Sequence, residues 1–133
     1  MREILAVLLG GMLGTGLRLV ADLILPHQDS SFPLGTLVVN VGGSFALGVL
    51  VSLVWARVAA WVRAGLGAGL IGSFTTFSAV MVSLVAQASL GSWWLAAGYL
   101  ALSLTLGFAA AVLGLRARRP RPSAEAPIDW VDE

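Results

Sequence analysis

The chain has 133 residues, of which 58% are hydrophobic and only 11% are charged, and it contains no cysteine. A soluble domain of this size would need many more polar residues to cover its surface, so the composition indicates an integral membrane protein. The lack of cysteine excludes disulfides and thiolate metal sites. The net charge of +1 gives no reason to expect a nucleic-acid partner.

Apolar segments long enough to cross a bilayer follow one another along the chain. The first predicted helix covers residues 4–25 and the second covers residues 34–54, with a proline bordering each. Residues 64–115 carry no charge, and at about 1.5 Å per residue they are too long for one crossing. The stretch QASLGSWW predicts a turn, which gives a third helix at about 62–86 and a fourth at about 93–115. We therefore predict an all-α integral membrane protein with four transmembrane helices.

The arginines predict how the chain is oriented in the cell membrane. Seven of the eight lie at the N-terminus, between helices two and three, or after helix four, and the two other loops contain none. By the positive-inside rule, both termini of this multi-pass protein are cytoplasmic. Residues 1–115 then form one four-helix transmembrane domain. The polar, proline-rich residues 116–133 form a disordered cytoplasmic tail.

Helix three carries an unusual polar segment, GSFTTFSAV, at residues 72–80. Glycines precede it, and Thr75, Thr76 and Ser78 place three hydroxyls close together. Glycine lowers helix propensity, so this segment predicts a break near the middle of the helix. At membrane depth, freed backbone groups are tolerated only where they are buried, wet or bound to an ion. The segment therefore predicts a broken helix at an ion site.

Two other helices carry polar or small residues at four-residue spacing, which places them on one helical face. Helix two has Thr36, Asn40, Ser44 and Gly48, and helix four has Tyr99, Ser103 and Gly107. Both stripes are compatible with close helix packing through small residues and with a narrow polar path. Asn40 favours the path, because a primary amide is costly to bury without partners.

Arg18 is the only arginine well inside a predicted span. It either extends to the membrane interface or pairs with Asp22 at i,i+4 near the end of helix one. We favour this structural role over direct contact with a ligand.

Two motifs, GTLVVNVGGSFALG at 35–48 and GLIGSFTTFS at 69–78, together with the glycine-rich first helix ending in Arg18, resemble the Fluc/CrcB fluoride channels. The resemblance covers about residues 4–115. It implies a passive, fluoride-specific channel that exports fluoride from the cytoplasm and so reduces its toxicity. It also implies an antiparallel homodimer or heterodimer in the lipid membrane, with two pores along the interface.

The same resemblance implies site residues. A structural sodium ion would be held by backbone carbonyls at the break, which match Gly72 and Thr75 here. The fluoride pores would be lined by Thr36, Asn40, Thr76, Phe77, Ser78, Tyr99 and Ser103. Hydroxyl and amide donors replace the water of a strongly hydrated anion, and phenylalanine ring edges carry partial positive charge. The family usually has a second phenylalanine three residues after the one in TTFS, where this chain has Val80.

Three alternatives accompany the channel prediction. Val80 and the one-sided arginines are compatible with a non-conducting partner subunit of a heterodimeric channel. A small four-helix proton-coupled exporter needs a carboxylate within the membrane, and the spans contain only Asp22, beside Arg18. An enzyme is not expected, because the single histidine, His27, lies in a loop and no pairing of a nucleophile with a base is visible.

Overall fold

The computed structural model of the chain describes residues 1–25 and 32–117, and these residues form helices joined by short turns. Four helical rods are long and apolar enough to cross a membrane, and the third is interrupted. The helices are α1 Arg2–Ile24, α2 Leu34–Leu53, α3 Ala60–Ala64, α4 Gly72–Phe74, α5 Phe77–Ser89 and α6 Trp93–Leu115, with a π-helical segment at Gly65–Ile71 between α3 and α4. The predicted four spans and the broken third helix are confirmed.

The helix bounds agree closely with the predicted ones, except in the third span. That span runs over Ala60–Ser89, whereas the sequence predicted about 62–86. The helix continues into the predicted turn and ends at Ser89, and Gly91 follows two residues later with a φ of 75°. The Gly91 amide donates to the Ala88 carbonyl and the Ser92 amide donates to the Gln87 carbonyl. This Schellman arrangement closes the helix with a glycine in the left-handed conformation.

The third span consists of two halves separated by two extended residues. The lower half comprises α3, the π-helical segment and α4, and the upper half is α5. Thr75 and Thr76 lie between them with extended backbone, at ψ angles of 156° and 121°. The helix restarts because Thr76 acts as the N-cap of α5, with its Oγ1 accepting a hydrogen bond from the Ala79 amide at 3.2 Å.

Glycines allow the rods to approach closely at two seams. At the first, Gly10 and Gly14 of α1 lie against the carbonyl oxygens of Gly65 and Leu70, and an added Cβ would collide with them. At the second, Gly48 of α2 and Gly114 of α6 lie against each other's backbone in the same way. Small residues commonly allow helices to pack closely in membranes. Close packing matters there because lipid tails are as apolar as the side chains, so no hydrophobic effect drives the helices together.

A small apolar cluster joins α2, α5 and α6. It consists of Leu37, Val80 and the fully buried Tyr99. Phe32, Val41, Met81 and Leu84 pack against it. Most large apolar side chains of α1 and α6 are exposed, as expected for faces in contact with lipid. The predicted disordered tail lies outside the described residues, apart from Arg116 and Ala117.

A candidate ion path at the helix break

The centre of the candidate site is a pair of hydrogen bonds between Asn40 and the backbone of Thr76. The Asn40 Nδ2 donates to the Thr76 carbonyl oxygen at 2.8 Å, and the Asn40 Oδ1 accepts from the Thr76 amide at 2.8 Å. A side-chain amide thus replaces the peptide partner that the break removes from this residue. The cost of burying Asn40 is met by this pairing, and one amide hydrogen of its Nδ2 remains.

The break removes regular helical donors from the carbonyls that precede it, including those of Gly72 and Thr75. In a continuous α-helix, the Thr76 amide would bond to the Gly72 carbonyl, and the Ala79 amide would bond to the Thr75 carbonyl. Here the first amide donates to Asn40 and the second to the Thr76 hydroxyl. Gly72 and Thr75 are the two residues whose carbonyls were predicted to hold a cation.

The hydroxyl of Thr75 is occupied within its own helix. Both its amide and its Oγ1 bond to the Ile71 carbonyl, each at 3.0 Å. Its methyl group lies against Gly43 of α2, where a Cβ would collide with it. The side chain therefore fixes the rotation of this residue and leaves its carbonyl as the group available to a ligand.

The break lies at the surface of the single chain. Gly72, Phe77 and Ser78 are exposed, and Phe77 has 70% of its surface accessible. Thr76 Oγ1 and Ser78 Oγ are 3.0 Å apart and share a hydrogen bond. Polar groups at membrane depth are tolerated only where protein or water, rather than lipid, covers them.

Two hydroxyls of α6 are buried, and within the described residues no hydrogen-bond partner outside this pair is found for them. They belong to Tyr99 and Ser103, which are one helical turn apart. Val80, one turn after Thr76 on α5, packs against Tyr99. Buried hydroxyls are normally paired, so this pair has donors available for a ligand. Thr36, the remaining residue predicted to line the pore, lies one turn before Asn40 on α2 and is partly buried.

Arg18 and Asp22 form the expected ion pair, with Nε donating to Oδ1 at 2.8 Å. The Nη1 of Arg18 is buried and has no partner within the described residues. Its structural role stays a prediction.

Phe32 belongs to this region although the sequence did not point to it. It precedes α2, and its ring contacts the Tyr99 ring with 5.2 Å between the centroids and 85° between the planes. A lone phenylalanine in a predicted loop carries no periodic signal, so only the fold reveals the contact.

The four membrane-spanning helices define a multi-pass membrane protein. The polar groups at the break and on α6 form a candidate site between these helices. The sequence family described as CrcB-like protein, Camphor Resistance (CrcB), matches residues 5–115. Its match spans nearly the whole described chain, and the protein belongs to this family.

Similar proteins carry a more specific name. A Roseiflexus sp. (strain RS-1) protein named Fluoride-specific ion channel FluC is 36% identical over 123 residues, covering 90% of this chain and 99% of the relative. A Cereibacter sphaeroides (strain ATCC 17029 / ATH 2.4.9) protein of the same name is 39% identical over 118 residues, covering 88% and 94%. A Nocardia farcinica protein named Fluoride-specific ion channel FluC 2 is 40% identical over 121 residues, covering 87% and 84%. Because these relatives are named as ion channels, the prediction that the chain is not an enzyme is confirmed.

Proposed function

We propose that this protein is a fluoride channel that lets fluoride leave the cytoplasm passively. The names of the relatives supply the ion. Within this chain, the observation that carries the proposal is the buried hydroxyl pair of Tyr99 and Ser103, for which the described residues supply no acceptor outside the pair. An anion is an acceptor, and a small, strongly hydrated one needs such donors in place of water.

The remaining residues of the path would contribute donors of moderate strength. Thr36, Thr76 and Ser78 supply hydroxyls, and Asn40 supplies the amide hydrogen that its pairing with Thr76 leaves over. The exposed ring of Phe77 presents partially positive edge hydrogens. None of these groups carries a full charge, so the anion would bind well enough to enter and weakly enough to leave.

The exposed break supports an assembly of two subunits. A second subunit covering the exposed Gly72, Phe77 and Ser78 would keep the polar backbone of the break and the Ser78 hydroxyl away from lipid, which cannot satisfy them. In the proposed antiparallel dimer, the two breaks meet at the centre of the interface and a pore runs on each side. Bilayer lipid covers the exposed apolar faces of α1 and α6.

A structural sodium ion fits the break. Carbonyl oxygen is the ligand type that hard cations prefer. The Gly72 and Thr75 carbonyls lack the amide donors of a continuous helix, so they would hold the ion, two from each subunit. The ion would join the subunits by neutralising the partial negative charge of these carbonyls. It would not be transported.

A second candidate function is a partner subunit of a heterodimeric channel. Val80 is 5% exposed and packs into the cluster of its own chain, so no second phenylalanine of α5 stands beside Phe77. With seven arginines on one side, this chain would insert in one orientation with both termini in the cytoplasm, whereas an antiparallel partner must insert the opposite way.

Reconstitution of the purified chain into liposomes tests the proposed function. We expect fluoride efflux without a proton gradient and chloride efflux at least about a hundredfold slower, since the donor path matches the smaller anion. Equal rates for the two anions, or a requirement for a proton gradient, would exclude the proposal. Silence of this chain alone, with activity restored by a co-expressed related subunit, would favour the partner-subunit function.

Replacing sodium with a large organic cation tests the cation site in the same liposomes. The dimer should lose thermal stability or flux, because four carbonyls would then face one another without a counterion. The variant Thr75→Ser should behave nearly like the wild type, since it retains the carbonyl and the hydroxyl bond to Ile71. If sodium removal changes neither stability nor flux, the site does not hold a cation.

A further inference from the structure

The side chain of Tyr99 is held in place by packing rather than by hydrogen bonds. Its exposed fraction is 0%, and within the described residues no hydrogen-bond partner other than the neighbouring Ser103 hydroxyl is found for its own hydroxyl. The direction of that hydroxyl is therefore set by the groups that contact the ring. They include the cluster residues Leu37 and Val80, and Phe32.

Among these contacts, Phe32 is the one that orients a ring. It meets Tyr99 at 85° between planes, which is the edge-to-face geometry that aromatic pairs prefer. The aliphatic neighbours Leu37 and Val80 also confine the ring, but they lack the directional preference of an aromatic pair. Phe32 also packs against the cluster that contains Val80.

We propose that Phe32 is a positioning residue of the ion path: from the start of α2 it supplies the aromatic contact that Val80 does not, and it fixes Tyr99 so that its hydroxyl faces the ion together with Ser103. This inference rests on the proposed fluoride function. It gives the segment before α2 a role in the ion path, which the four-residue spacing of polar residues on α2 and α6 does not indicate.

The first test is the efflux of fluoride and chloride from liposomes containing Phe32→Leu. Leucine keeps an apolar side chain of similar size but has no ring. We expect a fluoride flux about tenfold lower, the size expected for the loss of one aromatic pair, and a lower fluoride-to-chloride ratio. Phe108→Leu is the matched control, because Phe108 is 72% exposed on α6, and it should not change either value.

Rescue separates positioning from general stability. In the double variant Phe32→Leu/Val80→Phe, a ring returns from α5 to the same cluster, and fluoride flux and selectivity should recover at least partly. A variant that loses flux only because it unfolds would show a lower melting temperature and less dimer, and a second substitution in the cluster would not restore it. That result would overturn the inference.

A spectroscopic measurement reports on Tyr99 independently of ion flux. Tyr99 is the only tyrosine, so tyrosine-selective isotope labelling gives a single ring signal. Phe32→Leu should shift that signal through the loss of the neighbouring ring current, and Phe108→Leu should not. If the wild type conducts fluoride but Phe32→Leu leaves the flux or the Tyr99 signal unchanged, the role of Phe32 is overturned and the proposed function is not. A folded wild type that passes no fluoride overturns the proposed function, and with it the place of Phe32 in an ion path.

Discussion

The two halves of the third span are held in the bundle by different means. The lower half lies against α1 through glycines, and the contact is backbone against backbone at Gly10, Gly14, Gly65 and Gly69. The upper half is tied to α2 by the side chain of Asn40 and packs on α6 through apolar groups. The lower half is therefore sensitive to added volume, whereas the upper half is sensitive to a change of donor or acceptor. Substitutions of each kind test this difference.

The largest expected effect is in the lower half. In Gly10→Val, the new side chain collides with the Gly65 carbonyl, which has no room to move because α1 lies directly on it. We expect a loss of about 3 kcal/mol or more in stability. The yield of folded protein in detergent and its melting temperature measure this.

Gly16→Val is the matched control for that variant, because no atom lies within 4 Å of a Cβ placed at Gly16 on the same helix. It should fold like the wild type. If both variants fold equally well, the close approach of α1 to the π-helical segment is wrong.

A smaller effect is expected at the break. Asn40→Asp has the same shape but loses the amide donor, so a carboxylate oxygen faces the Thr76 carbonyl and one bond becomes a repulsion. We expect the lost hydrogen bond to cost about 2 kcal/mol in the stability of the break. Fluoride flux should fall more than tenfold, because the added negative charge also opposes the anion. Liposome efflux measures the flux, and size exclusion shows whether the dimer stays intact.

Ser44→Ala serves as the comparison for Asn40, since Ser44 lies one turn further along the same stripe and near Gly107 of α6. Its flux should be close to that of the wild type. Normal flux in Asn40→Asp would assign the whole stripe to helix packing.

The smallest effect is expected at the seam between α2 and α6. The Ser52 hydroxyl donates within 3.1 Å of both the Val49 and the Gly114 carbonyls, so Ser52→Ala should cost about 0.6 kcal/mol of stability and leave flux unchanged. Ser89→Ala removes a hydroxyl that bonds only within its own helix, to Val85, and should cost less. A loss of flux in Ser52→Ala would show that this seam also shapes the ion path.

The sequence predicted the four spans because apolar length is a strong signal in a membrane protein, and it predicted the break because glycines and hydroxyls are concentrated there. Periodicity identified the face of α2 that carries Thr36, Asn40, Ser44 and Gly48, but not its neighbours. The structure divides this stripe: Gly48 and Ser44 lie near α6, while Asn40 bonds to the break. The packing interpretation thus applies to Gly48 and Ser44, and the path interpretation stays a prediction for Asn40.

Two features of the site were beyond sequence reasoning. The π-helical segment Gly65–Ile71 lies in close contact with α1, and no local propensity encodes that contact. The contact between Phe32 and Tyr99 joins residues 67 positions apart and depends on the turn before α2. Both are contacts between separate elements of the fold, so predictions made for each helix by itself do not find them.

The pairing of Asn40 with Thr76 also has a mechanical consequence. An interrupted helix ordinarily provides a hinge, because its two halves can bend about the unbonded residues. Here the amide and the carbonyl of Thr76 both form 2.8 Å hydrogen bonds with Asn40 of α2, so α5 cannot rotate about the break unless α2 moves with it. We therefore expect the break to be among the most slowly exchanging parts of the membrane domain in hydrogen–deuterium exchange, and any gate in the path to lie elsewhere.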